Sequence, residues 1–167
     1  FETGSFSAYE WSHGGDADWT IDADAYSGSF SARSGEISHS QTSELSILMN
    51  ILYEGEIQFW SKASSEQGGS GTVYDYLEFY IDDEPQDLVI GGDTDWNEYT
   101  VDLPPGEHLL RWVYEKDEAQ SSGEDCAWLD MIQFPAGAVP PLSIDFGDLN
   151  FDSIVNILDV IVTVNYV

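Results

Sequence analysis

At 167 residues the chain suits one ordinary domain plus a short appendage, and 32 acidic against 4 basic residues leave a formal charge of −28. Such a surface repels duplex DNA and anionic membranes, and the cations Arg33, Lys62, Arg111 and Lys116 are scattered, so neither is an expected partner. With 42% apolar and 14% aromatic residues the chain carries a core rather than disorder. The acidity has two readings: carboxylates gathered to hold hard cations, or a solvated face that keeps the protein soluble. The single cysteine, Cys126, excludes an internal disulfide framework, and His13, His39 and His108 match no zinc spacing. Phe1 is not an initiator, so the expectation is a removed signal or a piece of a longer polypeptide. No stretch is long and apolar enough to span a bilayer.

From Phe1 to about Phe134 hydrophobicity alternates with period two, punctuated by Gly, Ser and Asp. The predicted strands are, in order, DWTID (18–22), SFSAR (29–33), the run Leu45, Ile47, Met49, Ile51, and EIQFWSK (56–62). They continue with Leu77, Phe79, Ile81, then QDLVI (86–90), WNEYTVD (96–102), EHLLRWVYEK (107–116) and AWLDMIQF (127–134). In EHLLRWVYEK, Leu110, Trp112 and Tyr114 share one face, and Leu109, Arg111 and Val113 the other. Surface loops are expected at SSEQGGSGT (64–72) and DEAQSSGED (117–125), and turns at GGDTD (91–95) and PPG (104–106). No helix is predicted before residue 145. The pattern reads as an all-β sandwich of two antiparallel sheets over residues 1–134.

PAGAVPPLSI (135–144) reads as a semi-rigid proline-rich linker without ladder partners. Behind it, residues 145–167 hold DLNFDSIVNILD. Oxygen-bearing side chains fall at Asp148, Asn150, Asp152, Asn156 and Asp159, with the Ile154 carbonyl between them, as in a twelve-residue EF-hand-type Ca²⁺ loop leading into a short helix. An Asx-turn loop without metal is the plainer alternative. Ile157, Leu158, Ile161 and Val164 would form the buried face of the helix and an assembly contact. The run VIVTVNYV could instead be an edge strand added to a neighbouring sheet.

The loop resembles the repeat of dockerin modules, D-x-N-x-D-G-x-x-N-x-x-D followed by a helix, which implies the same ligand residues. Ser153 stands where glycine is usual, and only one of the two repeats of that family is present. The fragments FETGSF, DADWTID, AYSGSFSARSG, EIQFWSKASSE, YDYLEFYIDDE, PPGEHLLRWVYEKD and AWLDMIQFP, in that order, are similar to jelly-roll modules of secreted bacterial proteins: MAM-like and cleaved-adhesin domains and, more distantly, carbohydrate-binding modules. That resemblance implies a jelly-roll β-sandwich and a structural calcium held by Glu2 and Asp130 with carbonyls near Ser27 and Ser29. Independently, Asp130 is expected on one strand face with Trp128 and Ile132, where an ionised carboxylate needs a cation or several donors; the alternative is an ordinary surface acid at the strand's exposed end.

Six tryptophans invite a sugar-stacking role. Trp60, Trp112 and Trp128 lie inside strands and are expected in the core; Trp11, Trp19 and Trp96 lie at strand starts or loops and are the better candidates for exposure. Of these, Trp11 and Trp96 are the candidate ligand residues, although covering a sandwich end is an ordinary job for such rings. No G-x-S-x-G elbow and no phosphate-cradling glycine loop occurs, and Asp125 beside Cys126 opposes a thiolate, so the chain reads as non-enzymatic. The expectation is a calcium-stabilised extracellular or cell-surface adhesion and binding module of a larger protein, with a dockerin-like segment for module or partner docking; the expected partners are other modules or copies of the same protein, and a glycan or surface protein. Competing with it are a filament or surface-lattice subunit assembling through the C-terminal segment, and a carbohydrate-binding module.

Overall fold

The computed structural model describes residues 1–141, and the C-terminal positions named above from Asp148 to Val164 lie outside them. The strands are β1 Ser12–Gly15, β2 Thr20–Asp22, β3 Ser31–Arg33, β4 Thr42–Ile51, β5 Gly55–Ser64, β6 Tyr76–Ile81, β7 Glu84–Gly91, β8 Asn97–Leu103, β9 Gly106–Glu115, β10 Cys126–Gln133 and β11 Ala138–Val139. One sheet runs β1-β4-β9-β6-β7, and the other β2-β3-β10-β5-β8. All pairings are antiparallel, and helix among the described residues is limited to one 3₁₀ turn at Gly69–Gly71.

Alternation decides which side chains meet between the sheets. Leu45, Ile47, Met49 and Ile51 of β4, Leu110, Trp112 and Tyr114 of β9, and Leu77 and Phe79 of β6 are all buried. They face Ile57 and Phe59 of β5, Leu103 of β8 and Leu129 of β10. Phe59 meets Phe79 at 5.2 Å and Trp112 edge-on at 5.5 Å between centroids, so one aromatic knot joins the layers. Each such large side chain removed from water contributes ~1.5–3 kcal/mol. The hairpin between β6 and β7 turns on Asp82 and Asp83, both with positive φ (51° and 68°), the two-residue turn whose twist suits a hairpin.

Several expectations change. The proline-rich stretch has ladder partners after all: Ala138 and Val139 pair with Ile51 and Asn50, on the edge of β4 that β1 also occupies. Trp19, one of the candidates for exposure, is 2% exposed, and Trp60, expected in the core, is half-buried on the outer face of β5. The loop at 64–72 is not wholly superficial, since Ser65 and Glu66 are buried. Asp130 shares its face with Trp128 but not with Ile132. Between Asp130 and Gln133 the β10 register slips by one residue against β5, with Met131 at φ 48°, and the bulge turns Ile132 toward the core.

Candidate ligand-binding face and its acidic turn

Period two fixes what the outer face of the second sheet presents. Ile57 and Phe59 point inward, so Gln58, Trp60 and Lys62 point outward, joined across β8 by Glu98 and Thr100 and across β10 by Trp128 and Asp130. On this face Tyr26, from the β2–β3 loop, lies flat on Trp60, with centroids 3.6 Å apart and planes 8° apart. Tyr26 remains 43% exposed. Trp96 stands beside it at 6.3 Å and 57°, so the rings form an angled shelf. Lys62 reaches beneath them, 4.3 Å from the Trp128 ring centroid and 5.4 Å from that of Trp96, and donates to Asp24. Arg33 lies 5.6 Å from the Trp128 centroid on its other flank. These two cations therefore bury Trp128 on an outer face by cation–π contact, while Tyr26 stays open and Trp96 is half-buried.

What holds Tyr26 in place is the turn that follows it. Asp130, 3% exposed, accepts the Ser27 N–H at 3.0 Å through Oδ2 and the Met131 N–H at 2.7 Å through Oδ1. Glu2 accepts the Ser29 N–H at 2.8 Å through Oε2 and the Phe30 N–H at 3.3 Å through Oε1. Gly28 sits at φ 76°, and a Cβ there would meet the Glu2 carboxyl at 2.3 Å. The turn therefore requires glycine twice over, for its handedness and for the close approach.

All four residues expected around a structural calcium, Glu2, Asp130, Ser27 and Ser29, thus come together, although both serines meet the carboxylates through amide N–H groups. Each carboxylate oxygen keeps a second lone pair, a donor set that suits a hard, oxygen-seeking cation held by Glu2 and Asp130. The amides alone already satisfy the buried charge of Asp130.

A cavity of about 230 Å³ opens beside the turn, lined by Phe1, Glu2, Tyr9, Trp11, Asp130 and Phe134 among others. Trp11 is half-buried there, 5.7 Å from the Phe1 ring and 6.0 Å from Trp112, so it closes the end of the core. Of the two tryptophans singled out in the sequence, only Trp96 belongs to the shelf. Tyr26 and Trp60 were missed, yet the signal existed: Trp60 has the parity of Gln58 and Lys62, not that of Ile57 and Phe59.

The other reactive side chains are committed elsewhere. His108 bonds Asp82 at 2.5 Å through Nδ1 and the Pro104 carbonyl at 3.0 Å through Nε2. Burial pushes the Cys126 thiol up to about 11, against the opposing pull of the Arg33 guanidinium 3.1 Å away.

No family model and no curated protein matches the chain. Solved structures do. The fold superposes on part of VesC, a secreted serine protease from Vibrio cholerae, with a TM-score of 0.56 and 21% identity, covering 72% of this chain and 23% of that one. It superposes on the carbohydrate-binding module TmCBM61, solved in complex with β-1,4-galactotriose, with a TM-score of 0.55 and 18% identity over 79% of this chain and 90% of that one. For the K1 cleaved-adhesin domain of Lys-gingipain from Porphyromonas gingivalis W83 the TM-score is 0.54 and the identity 15%, over 78% and 92% of the two chains. The chain has the β-sandwich fold of adhesin and carbohydrate-binding modules. It spans less than a quarter of the protease chain.

Proposed function

We propose that this domain is a non-catalytic extracellular binding module whose ligand is a neutral oligosaccharide docked on the outer face of the β2-β3-β10-β5-β8 sheet. One observation carries the reading: Tyr26, backed by Trp60 and flanked by Trp96, leaves a large aromatic surface in solvent amid polar groups. Pyranose C–H faces pack on such rings, and Gln58, Glu98 and Thr100, on the same strand face, supply donors and acceptors for hydroxyls. The formal charge of −28 disfavours anionic glycans, hence the neutral class. The solved neighbours that are adhesin and carbohydrate-binding modules support a binding role for the fold, and the committed His108 and the raised Cys126 thiol argue against catalysis.

Calcium belongs to the same proposal. Glu2 and Asp130 would hold it, and the ion would stiffen the turn that carries Tyr26, coupling metal to ligand affinity. The dockerin-like loop, with Asp148 as its first ligand, remains the proposed means of joining other modules.

The test is a broad glycan array followed by calorimetry on the hits, comparing wild type with the Tyr26→Ala/Trp96→Ala double variant. Binding by wild type that the double variant loses supports the shelf. An array that stays silent, or a double variant that binds as tightly as wild type, overturns it.

A further inference from the structure

Just beyond the C-terminal end of β5 the chain gathers a second set of carboxylates that share a single ammonium. Glu66 follows β5, Asp75 precedes β6 and Asp117 follows β9, so the three come from both sheets. One oxygen from each lies within 4.8 Å of the others. Oxygens bound to a single Ca²⁺ at ~2.4 Å can be no farther apart than ~4.8 Å. Spacing alone would be unremarkable in so acidic a protein.

Burial and unpaired atoms make the difference. Glu66 is 8% exposed and Asp75 0%. Glu66 Oε2 and Asp75 Oδ2 are both buried without a hydrogen-bond partner, which ordinarily costs a carboxylate more than folding can spare. The nearest ammonium, Lys116, stands 3.5 Å from Asp75 Oδ2 and is also paired with Asp125 and Ser121. Four carboxylates, those of Glu66, Asp75, Asp117 and Asp125, therefore share one lysine, with His39 the other basic group near Glu66.

The frame around these groups is rigid. Ser65 Oγ donates to the Asp75 carbonyl at 2.6 Å and accepts the Gly92 N–H at 2.9 Å, tying the ends of β5, β6 and β7 together. Asp75 Oδ1 accepts the Asp117 N–H at 2.9 Å, and Asp117 Oδ1 accepts the Ala119 N–H at 2.8 Å. These bonds fix Asp75 and Asp117, while Asp75 Oδ2 and Glu66 Oε2 stay buried with no hydrogen-bond donor among the described residues.

We propose that Glu66, Asp75 and Asp117 form a binding site for a hard divalent cation, Ca²⁺ by its charge and all-oxygen donors, that staples the two sheets together at this corner. It is separate from the Glu2–Asp130 turn and from the loop beginning at Asp148. Three carboxylates offer up to six oxygens of the ~6–8 that calcium takes, and water completes the shell. Such an ion neutralises the buried charge and stabilises only the folded chain.

The experiment uses the full chain stripped of metal and dialysed against buffered Ca²⁺, with bound calcium counted by mass spectrometry and titrated by calorimetry. Glu66→Gln and Asp117→Asn should each lose one equivalent of calcium, an equivalent that Asp130→Asn keeps. Unchanged stoichiometry and affinity in both corner variants would overturn the site, as would wild type that binds no calcium. If Glu66→Gln fails to fold, crystals of wild type soaked in Tb³⁺ decide: an anomalous peak among the three carboxylates upholds the site, and its absence at full occupancy elsewhere defeats it.

Discussion

Two acidic corners of one sandwich solve the same problem in opposite ways. At the Glu2–Asp130 turn every carboxylate oxygen accepts a peptide N–H, made possible by Gly28 and by the bulge at Met131. At the Glu66–Asp75–Asp117 corner two buried oxygens accept nothing. Counting acids cannot separate these cases; asking where each oxygen's hydrogen bond goes does so at once. The first corner is assembled by its own backbone and holds Tyr26 against Trp60. The second, in the proposal above, is completed by a cation from solution.

The sharpest way to break this comparison is to remove the satisfied carboxylate. Asp130→Ala strands the Ser27 and Met131 amides, which should cost ~2–3 kcal/mol and release Tyr26 from Trp60. Denaturant unfolding measures the loss, and ligand affinity should fall with it. Gly28→Ala should cost about 1–2 kcal/mol through its positive φ and its approach to Glu2. The matching change at the other corner, Glu66→Gln, should stabilise the metal-free chain or leave it unmoved, because it removes the charge of a buried carboxyl that has, among the described residues, no ion pair and no hydrogen bond to its Oε2. Thermal melts without and with calcium check the sign.

The next effect is smaller and depends on pH. Burial raises the carboxyl groups of Glu66 and Asp75 above the ordinary range, helped at Glu66 by Asp117. A raised folded value means that the native state binds more protons than the unfolded one. Metal-free stability from this pair is present below the unfolded value and lost as pH rises through the folded one. Melts from about pH 7 down to about pH 5 should therefore rise, and less so in Glu66→Gln. Saturating calcium should flatten or reverse that slope, since the cation requires ionised ligands. The smallest expectation is that Cys126, with its thiol raised to about 11, reacts with a disulfide reagent at neutral pH only when the protein unfolds.

Much of the fold was legible because alternation is a strong signal. The inward sets of β4, β6 and β9 were readable residue by residue, and the nine predicted strands correspond to β2 through β10. The polar β1, SHGG, and the two-residue β11 carry too little hydrophobic pattern to be seen, being defined by their pairing to β4. The bulge at Met131 was hidden for the same reason, because an extra residue shows only against its partner strand. At the candidate sites, Trp96 and the convergence of Glu2 with Asp130 could be anticipated. The corner could not, because Glu66, Asp75 and Asp117 are far apart in the chain and meet only when the sheets stack. Trp60 was misplaced by weighing residue type above parity.

The ligand shelf is tested most directly by following the indole N–H signals of the six tryptophans by NMR during titration with an oligosaccharide that binds on the array. The signals of Trp60 and Trp96 should shift to saturation while those of Trp19, Trp112 and Trp128 stay in place. Saturable binding that leaves Trp60 and Trp96 unmoved would contradict the assignment of this face.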